Sequence, residues 1–263
     1  AGVNIQNAVA ATTVTLNAEE STDLVLGNTL IYALADATGT EDALSLTLNA
    51  LDGNDDTVAD GIVTVDDLTA DDIETFNIVS NVAEIDDEIT NLDYTNLISA
   101  LAGDAVETIN VSGNANLEIT ALTAAALNKI DANTLTGALT VDASAADGVE
   151  FIGGAGNDDY TGTAGGDTIT GGAGADLIAL GAGAVDTIIL NAATDSQLNA
   201  TVDGHDIITA FGVAGQLDVI DVGIAGFTGQ QTSALANKGA LAPTVIDGST
   251  LSVTDFFASG GQD

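Results

Sequence analysis

Apolar and polar residues alternate along most of this chain in short bursts. Segments such as VTLN, LSLTLNAL, TINVSG and ALTVDAS place valine, isoleucine or leucine at every second position, which is the pattern of strands with one buried face. The bursts recur about every 10 to 20 residues, a spacing typical of an all-β sandwich, barrel or solenoid. Only residues 89–101 and the alanine-rich LTAAALNK at 122–129 carry a helical pattern. We therefore expect an all-β protein with very little helix.

A loose internal repeat narrows this expectation for part of the chain. Residues 106–144 contain ETINVSGNANLEIT followed by LTAAALNKIDANTLTGALTVDAS, short β segments that end in Asn, Asp or Gly turns. Units of this kind predict the rungs of a parallel β-solenoid, in which each rung is stabilised by its neighbours. For residues 1–105 a β-sandwich and a solenoid are both compatible with the pattern.

A regular nine-residue repeat follows at residues 153–190. The windows GGAGNDDYT, GTAGGDTIT and GGAGADLIA place an aspartate in the sixth column and Tyr160, Ile169 or Ile178 in the eighth. A fourth window, LGAGAVDTII, keeps the pattern with one extra residue. Six residues of glycine-rich turn and three of strand, with the eighth side chain buried, fit this period. Two such units would make one turn of a flattened helix.

The chain is strongly acidic. Its 263 residues include 31 aspartates and 9 glutamates against two lysines, which gives a formal net charge of −38. A nucleic acid partner is excluded by the lack of clustered cations. Hydrophobic residues make up 46% of the chain, enough to bury a core. A charge of this size destabilises a compact state unless counter-ions neutralise it, and a solvated acidic surface of the halophile type is the alternative explanation.

The nine-residue period places like charges close together. Windows eighteen residues apart would share an edge, so Asp158 would stack on Asp176 and Asp167 on Asp186. A hard cation between two stacked carboxylates removes their repulsion and also accepts carbonyl oxygens from the glycine turns. Calcium suits such a site because it takes about 6 to 8 oxygen ligands in loose geometry, whereas magnesium requires a tight octahedron. We expect Ca²⁺ to be the cofactor.

These windows resemble the RTX calcium-binding repeat, GGxGxDxUx with U a large apolar residue. The resemblance covers about 40 residues in three near-successive copies. It implies a parallel β-roll in which turn carbonyls and the sixth-column carboxylates hold calcium between repeats two apart. On one edge Gly154, Gly156 and Asp158 would face Gly171, Ala173 and Asp176, and on the other Thr163, Gly165 and Asp167 would face the turn that ends at Asp186. The metal ligands that the resemblance implies are Gly154, Gly156, Asn157, Asp158, Thr163, Gly165, Asp167, Gly171, Ala173, Asp176 and Asp186.

The flanking segments are similar to parts of the same class. DGHDIITAFGVAGQLDVIDVG at residues 203–223 resembles the segment that closes RTX rolls in type I-secreted proteins, and Phe211, Val219 and Val222 would cap the open end of the core. Asp206, Asp218 and Asp221 in this segment would either bind further calcium or be solvated. TVDASAADGVEF resembles the approach to the roll in calcium-dependent bacterial surface-layer proteins. We accordingly divide the chain into a β-rich segment at 1–105, solenoid rungs at 106–152, the RTX roll at 153–190 and a capping β segment at 191–263.

The residues present argue against catalysis. His205 is the single histidine and there is no cysteine, which excludes an HExxH zinc site and any thiolate metal site. The chain has no tryptophan and nine other aromatic residues, so sugar-cleaving platforms and deep small-molecule pockets are not expected. No apolar run reaches the roughly 18 residues that a transmembrane segment requires. The chain is not expected to be an enzyme.

Together these features predict a structural protein of the bacterial cell surface. External calcium would fold the roll, neutralise the acidic surface and bridge subunits into a lattice or sheath, whereas low calcium inside the cell would leave the repeats unfolded for export. The partners would be further copies of this chain and a cell-surface polysaccharide. The alternative is a calcium-binding and secretion module of a larger adhesin or secreted enzyme.

Overall fold

The computed structural model describes most of the first 222 residues. The described residues are 3–8, 12–18, 24–34, 39, 41–52, 61–84, 94–192, 195, 197–198, 203–212, 217–222 and 233–234. Every regular element in this part of the chain is a β-strand. The all-β expectation is therefore confirmed.

Two sheets of parallel strands contain nearly all of these elements. In the described residues the first sheet contains eleven strands: β1 (Val3–Ala8), β3 (Leu24–Leu34), β5 (Val63–Thr69), β7 (Thr95–Ile98), β8 (Leu101–Ala102), β10 (Asn116–Ile119), β11 (Leu122–Thr123), β13 (Leu139–Asp142), β15 (Asp159–Thr161), β17 (Leu177–Ala179) and β21 (Ile207–Thr209). The second contains ten: β2 (Thr13–Asn17), β4 (Ala43–Asp52), β6 (Thr75–Glu84), β9 (Thr108–Gly113), β12 (Lys129–Leu135), β14 (Glu150–Ile152), β16 (Thr168–Thr170), β18 (Thr187–Leu190), β22 (Val219–Val222) and β23 (Ser233–Ala234). A small antiparallel pair joins β19 (Gln197–Leu198) to β20 (Asp203–Gly204), and β23 is antiparallel to β22.

The chain returns to the same sheet at regular intervals, and we call the stretch from one strand to its next neighbour in that sheet a winding. In the second sheet Ala43 pairs with Thr75. Further on, Lys129 pairs with Glu150, and Glu150 pairs with Thr168, so each of these windings is shorter than the one before it. The windings shorten toward the nonapeptides because the connecting segments shrink to tight glycine turns. The described strands before and after residue 105 belong to the same two sheets.

The core lies between the sheets and follows the period-two pattern of the sequence. Leu44, Leu46 and Leu48 of β4 are fully buried, while the residues between them are half-buried on the outer face. In the nonapeptides the eighth-column side chains form the core, as Tyr160, Ile169, Ile178 and Ile188, all at most 1% exposed. The ring of Tyr160 stacks on Phe151 with centroids 4.2 Å apart.

The helix predictions are wrong where the structure describes them. Residues 95–98 and 101–102 are strands, and residues 122–129 contain the strand Leu122–Thr123, a tight turn and the start of Lys129–Leu135. The turn closes through a 3.1 Å bond from the Leu127 amide to the Ala124 carbonyl. Leu122, Ala124 and Leu127 are all buried, so the apolar spacing reflects a folded corner between two strands. Residues 89–93 lie outside the described part.

The described residues of the segment at 203–223 contribute β21 to the first sheet and β22 to the second. Phe211 and Ile220 pack against the core, whereas Val219 pairs with Thr187 on the outer face. The predicted contact of Val219 with the core is therefore wrong by one residue, because the side chain that faces inward from β22 is that of Ile220. The side chain of Val222 lies outside the described part. Among the described residues no helix has the length and apolar character to cross a membrane.

Candidate cation-binding turns

Each nonapeptide turn ends in a buried aspartate. Asp158, Asp167, Asp176 and Asp186 are 1–2% exposed, and each immediately precedes a short strand. The side chain points inward because the turn places the sixth residue on the core side of the sheet edge. Buried carboxylates of this kind require hydrogen bonds or positive charge to offset the loss of water.

One row of aspartates lies along the edge where the first sheet begins. Oδ1 of Asp158 accepts the amide N–H of Leu139 at 2.7 Å, and its Oδ2 accepts that of Gly154 at 2.7 Å. The Asp158 amide in turn donates to Asp176 Oδ1 at 2.9 Å, and the Asp176 amide donates to Asp206 Oδ1 at 3.1 Å. Each carboxylate thus caps the backbone of the preceding winding. Asp158 and Asp176 are brought together, eighteen residues apart.

A second row runs along the edge of the other sheet. Oδ1 of Asp167 accepts the amide of Val149 at 2.8 Å and the hydroxyl of Thr163 at 2.8 Å, and its Oδ2 accepts the Thr163 amide at 2.8 Å. The Asp167 amide donates to Asp186 Oδ1 at 2.9 Å, and the Asp186 amide donates to Asp218 Oδ1 at 3.0 Å. Thr163, which replaces a glycine of the repeat, therefore serves as an additional donor to the carboxylate.

Asp206 and Asp218 continue the two rows, and the sequence alone leaves each of them as either a further calcium ligand or a solvated side chain. Asp206 lies 30 residues after Asp176, and Asp218 lies 32 residues after Asp186, so the nine-residue register does not reach them. The one signal is local: each is followed two positions later by an apolar residue that packs against the core, Ile208 and Ile220. The rows continue past the nonapeptides into the segment that follows them.

Two carboxylate oxygens in these rows have no partner. Oδ2 of Asp176 and Oδ2 of Asp186 are buried and accept no hydrogen bond. Burial raises the pKa of Asp186 to about 6, against the lowering effect of the Asp167 amide and with the charges of Asp167 and Asp218 adding to the rise. Burial likewise raises the pKa of Asp176. A buried oxygen without a hydrogen bond is unfavourable, and both of these oxygens belong to side chains whose ionisation is already disfavoured by burial.

The other two aspartates of the first row, Asp158 and Asp206, are affected as well. Burial raises the pKa of Asp158 to about 7, although the amides of Leu139 and Gly154 favour the charged form, and the Asp176 charge adds to the rise. Burial also raises the pKa of Asp206 to about 7. At neutral pH these carboxylates are therefore poised between proton uptake and association with a cation.

The first-column glycines make room for the aspartates. A Cβ at Gly153, Gly162 or Gly171 would overlap Oδ2 of the aspartate five positions later. This is a steric role, distinct from the supply of carbonyl ligands that the sequence suggested. Further into the turn, Gly174 has a φ of +138° and stacks directly on Gly156, so successive turns approach more closely than side chains would allow.

The remaining predicted ligands lie in the same turns. The Ala173 amide donates to the Gly154 carbonyl at 3.0 Å, and Asn157 Oδ1 accepts the Ala175 amide at 2.9 Å. The Gly165 amide donates to the Thr163 hydroxyl at 3.0 Å. Gly156 lies against Gly174 and not against Ala173, because the windings stack in an eighteen-residue register. Asn157 and the carbonyl of Gly154 therefore already join successive turns through hydrogen bonds.

The donor set fits an oxygen-binding divalent cation. The buried atoms available are carboxylate oxygens, two of which lack partners, and the Gly171 carbonyl oxygen lies against the same point at Gly153 as Oδ2 of Asp158. In the described part of the chain no three acidic or histidine side chains converge on one point, so main-chain carbonyls or water would have to complete the ligand shell, as calcium accepts. Lys129, the lysine that the structure describes, pairs with Asp131 and Glu150, both at 3.3 Å.

Comparisons with known proteins add no relative. No family model, curated protein or solved structure matches the chain. The geometry of the aspartate rows is therefore the basis for a functional proposal.

Proposed function

We propose that this chain is a parallel β-solenoid with RTX-like turns that bind calcium, and that it acts as a structural protein of the bacterial cell surface. The observation that carries the proposal is the two rows of buried aspartates, in which Asp176 and Asp186 each keep one oxygen without a partner. Such rows are unfavourable when empty of positive charge and stabilising when neutralised. The resemblance of the repeat supports calcium as the neutralising ion.

The two carboxylate oxygens of each aspartate would have different roles in calcium binding. Oδ1 of each aspartate holds a backbone amide of the neighbouring winding, which fixes the carboxylate in place. Oδ2 of Asp176 and Asp186 would be the first ligands, with carbonyls of Gly154, Gly156 and Gly165 completing the shell. Bound calcium supplies positive charge that removes the repulsion between stacked carboxylates.

If the stability of the fold depends on calcium, the chain would be more stable outside the cell than inside it. Because binding favours the folded state by mass action, a chain with these turns would be most stable where calcium is abundant, outside the cell, and its repeats would unfold most readily during export. The acidic surface, with a formal charge of −38, would repel other copies until calcium neutralised and bridged it. A lattice or sheath of identical subunits, anchored to cell-surface polysaccharide, is the assembly that we propose. No catalytic activity is part of this proposal.

Assembly is tested by sedimentation velocity and electron microscopy in millimolar calcium and in chelator. The wild-type chain should form regular sheets or tubes in calcium that disperse when calcium is removed. The double variant Asp176→Asn/Asp186→Asn should stay dispersed, because amide side chains keep the backbone hydrogen bonds but lose the charged ligand atoms.

A matched control changes two exposed aspartates, Asp104→Asn/Asp142→Asn, which alters the net charge equally and should leave assembly intact. A wild-type chain that remains a monodisperse monomer in both conditions would refute the assembly. Loss of assembly in both double variants would indicate an effect of net charge and would remove the ligand assignment.

A further inference from the structure

A groove on the long windings carries a row of asparagine side chains that the calcium proposal does not use. It has a volume of about 560 Å³ and runs across the ends of β2, β4, β6 and β9. Asn17, Asn49, Asn81 and Asn114 line it, and we call it the asparagine groove. The other described lining residues are apolar and none is charged.

The amides of the groove are held in fixed positions. Asn49 Nδ2 donates to Asn17 Oδ1 at 2.7 Å, and Asn81 Nδ2 donates to Asn49 Oδ1 at 3.3 Å, each across 32 residues. Asn114 exchanges two bonds with the main chain of Val82, at 2.9 and 3.1 Å. Polar groups ordered in this way before a ligand arrives lose little freedom when they bind it.

Each amide keeps hydrogen-bonding capacity after these bonds are made. A side-chain amide has two N–H donors and an oxygen with two lone pairs. Asn49 uses one donor and one lone pair in the row, which leaves one donor and one lone pair. A hydroxyl group is also both donor and acceptor, so every amide of the row matches one hydroxyl of a ligand.

The spacing of the row suits a linear polymer. Adjacent strands lie about 4.8 Å apart, close to the length of one sugar unit in an extended β-linked glycan. Four amides, one on each winding, therefore span roughly 14 Å, which matches four successive sugars. We propose that the asparagine groove binds an extended, neutral glycan chain, one hydroxyl-bearing unit per winding.

The charge of the protein selects a neutral ligand. A formal net charge of −38 repels an anionic polymer, and the described groove residues offer no cation to bind a carboxylate or sulfate. This inference rests on the proposed function in one respect, since it supplies the surface for the polysaccharide partner. The groove itself belongs to windings that precede the nonapeptides.

The test is a titration of the full chain with two neutral tetrasaccharides, cellotetraose and tetra-N-acetylchitotetraose, with tetragalacturonate as the anionic comparison. All titrations are done in calcium and followed by heteronuclear NMR. The side-chain NH₂ signals of Asn17, Asn49 and Asn81 should shift with a neutral tetrasaccharide and stay unmoved with tetragalacturonate. Asn49→Ala should weaken binding roughly tenfold or more, because it removes the central amide.

Asn110→Ala is the matched control. Asn110 Nδ2 donates to Asn77 Oδ1 at 2.9 Å across 33 residues, an equivalent bond outside the groove, so this variant should bind as the wild type does. Absence of shifts with both neutral tetrasaccharides overturns the proposal, as does equal binding of tetragalacturonate or an equal loss in both variants. Sedimentation of the same samples reports assembly separately, so failure of the groove is distinguished from failure of the lattice.

Discussion

Acidification should stabilise the calcium-free protein. Asp158 is 2% exposed, and its pKa in the folded chain is about 7, against an ordinary value of 3.8. Between these values the folded state binds more protons than the unfolded state, so the free energy of unfolding falls as pH rises. The stabilisation is complete below pH 3.8 and is lost as pH passes about 7. Proteins whose carboxyl pKa values are lowered by folding show the opposite slope.

The magnitude follows from the same values. A rise of one carboxyl pKa from 3.8 to about 7 corresponds to roughly 4 kcal/mol of stability between acid and neutral pH, of which about 2 kcal/mol lies between pH 5 and 7. The raised pKa values of Asp186 and Asp206 act in the same direction.

The assay is urea unfolding followed by circular dichroism in chelator, over a pH range of about 5 to 7.5 chosen to stay above the sequence pI of about 4.1. Asp158→Asn should reduce the slope by about 2 kcal/mol over that interval, whereas Asp104→Asn, at an exposed position, should keep the wild-type slope. High salt screens surface repulsion but not the buried group, so the difference between the variants should persist in salt. A stability that rises with pH, or equal slopes in both variants, would refute the reasoning.

Four substitutions in the nonapeptides have expected effects on the stability of the calcium-free protein, each checked by thermal or urea unfolding. Asp176→Asn should raise stability, because the charged carboxylate with its unpartnered Oδ2 becomes an uncharged amide. Asp158→Asn should lower stability by about 1–3 kcal/mol, because its NH₂ group would face a backbone N–H. A change of the same sign in both variants would contradict the hydrogen-bond assignment. Tyr160→Phe should stabilise by about 1–2 kcal/mol, since the hydroxyl is buried without a partner and the stacking on Phe151 is kept, and a large loss instead would mean that the hydroxyl is satisfied. Gly174→Ala should destabilise by more than about 1 kcal/mol because its φ of +138° strains any side chain; an unchanged midpoint would argue against the close stacking of turns.

The strands and the eighteen-residue stacking could be predicted from the sequence because both arise from local periods. Alternating residues predict strands, and the nine-residue register fixes which turns share an edge. The role of the aspartates within that edge could not be predicted in the same way. The sequence suggested carboxylates that face each other, whereas Asp158 and Asp176 are linked through a backbone amide, a contact that depends on the exact height of one turn above the next.

Three further features could not be predicted from the sequence, because their spacing is long or their composition is typical of a helix. The segments TVTLN, SLTLN and NIVSN end in Asn17, Asn49 and Asn81, which are 32 residues apart. This interval is much longer than the nine-residue repeat, so the pattern is hard to see in the sequence. Asp206 joins its row after a 30-residue winding, which no short period reveals. The LTAAALNK segment has helix-forming alanines, but buried strand neighbours and a tight turn at Ala124 overrode that propensity.

Backbone amides at the edges of the sheets are capped by different side chains in the longer windings and in the nonapeptides. In the longer windings an asparagine caps a backbone amide of the neighbouring winding: Asn96 Oδ1 accepts the Val63 amide at 2.9 Å, and Asn116 Oδ1 accepts the Ala138 amide at 2.8 Å. From Asp158 onward an aspartate does so, beginning with the Leu139 amide. The two side chains have the same shape, so the change adds negative charge without altering the winding. Neutral caps need no counter-ion, and we therefore expect calcium dependence to begin where aspartate replaces asparagine and to be a property of that charge, not of the strand topology.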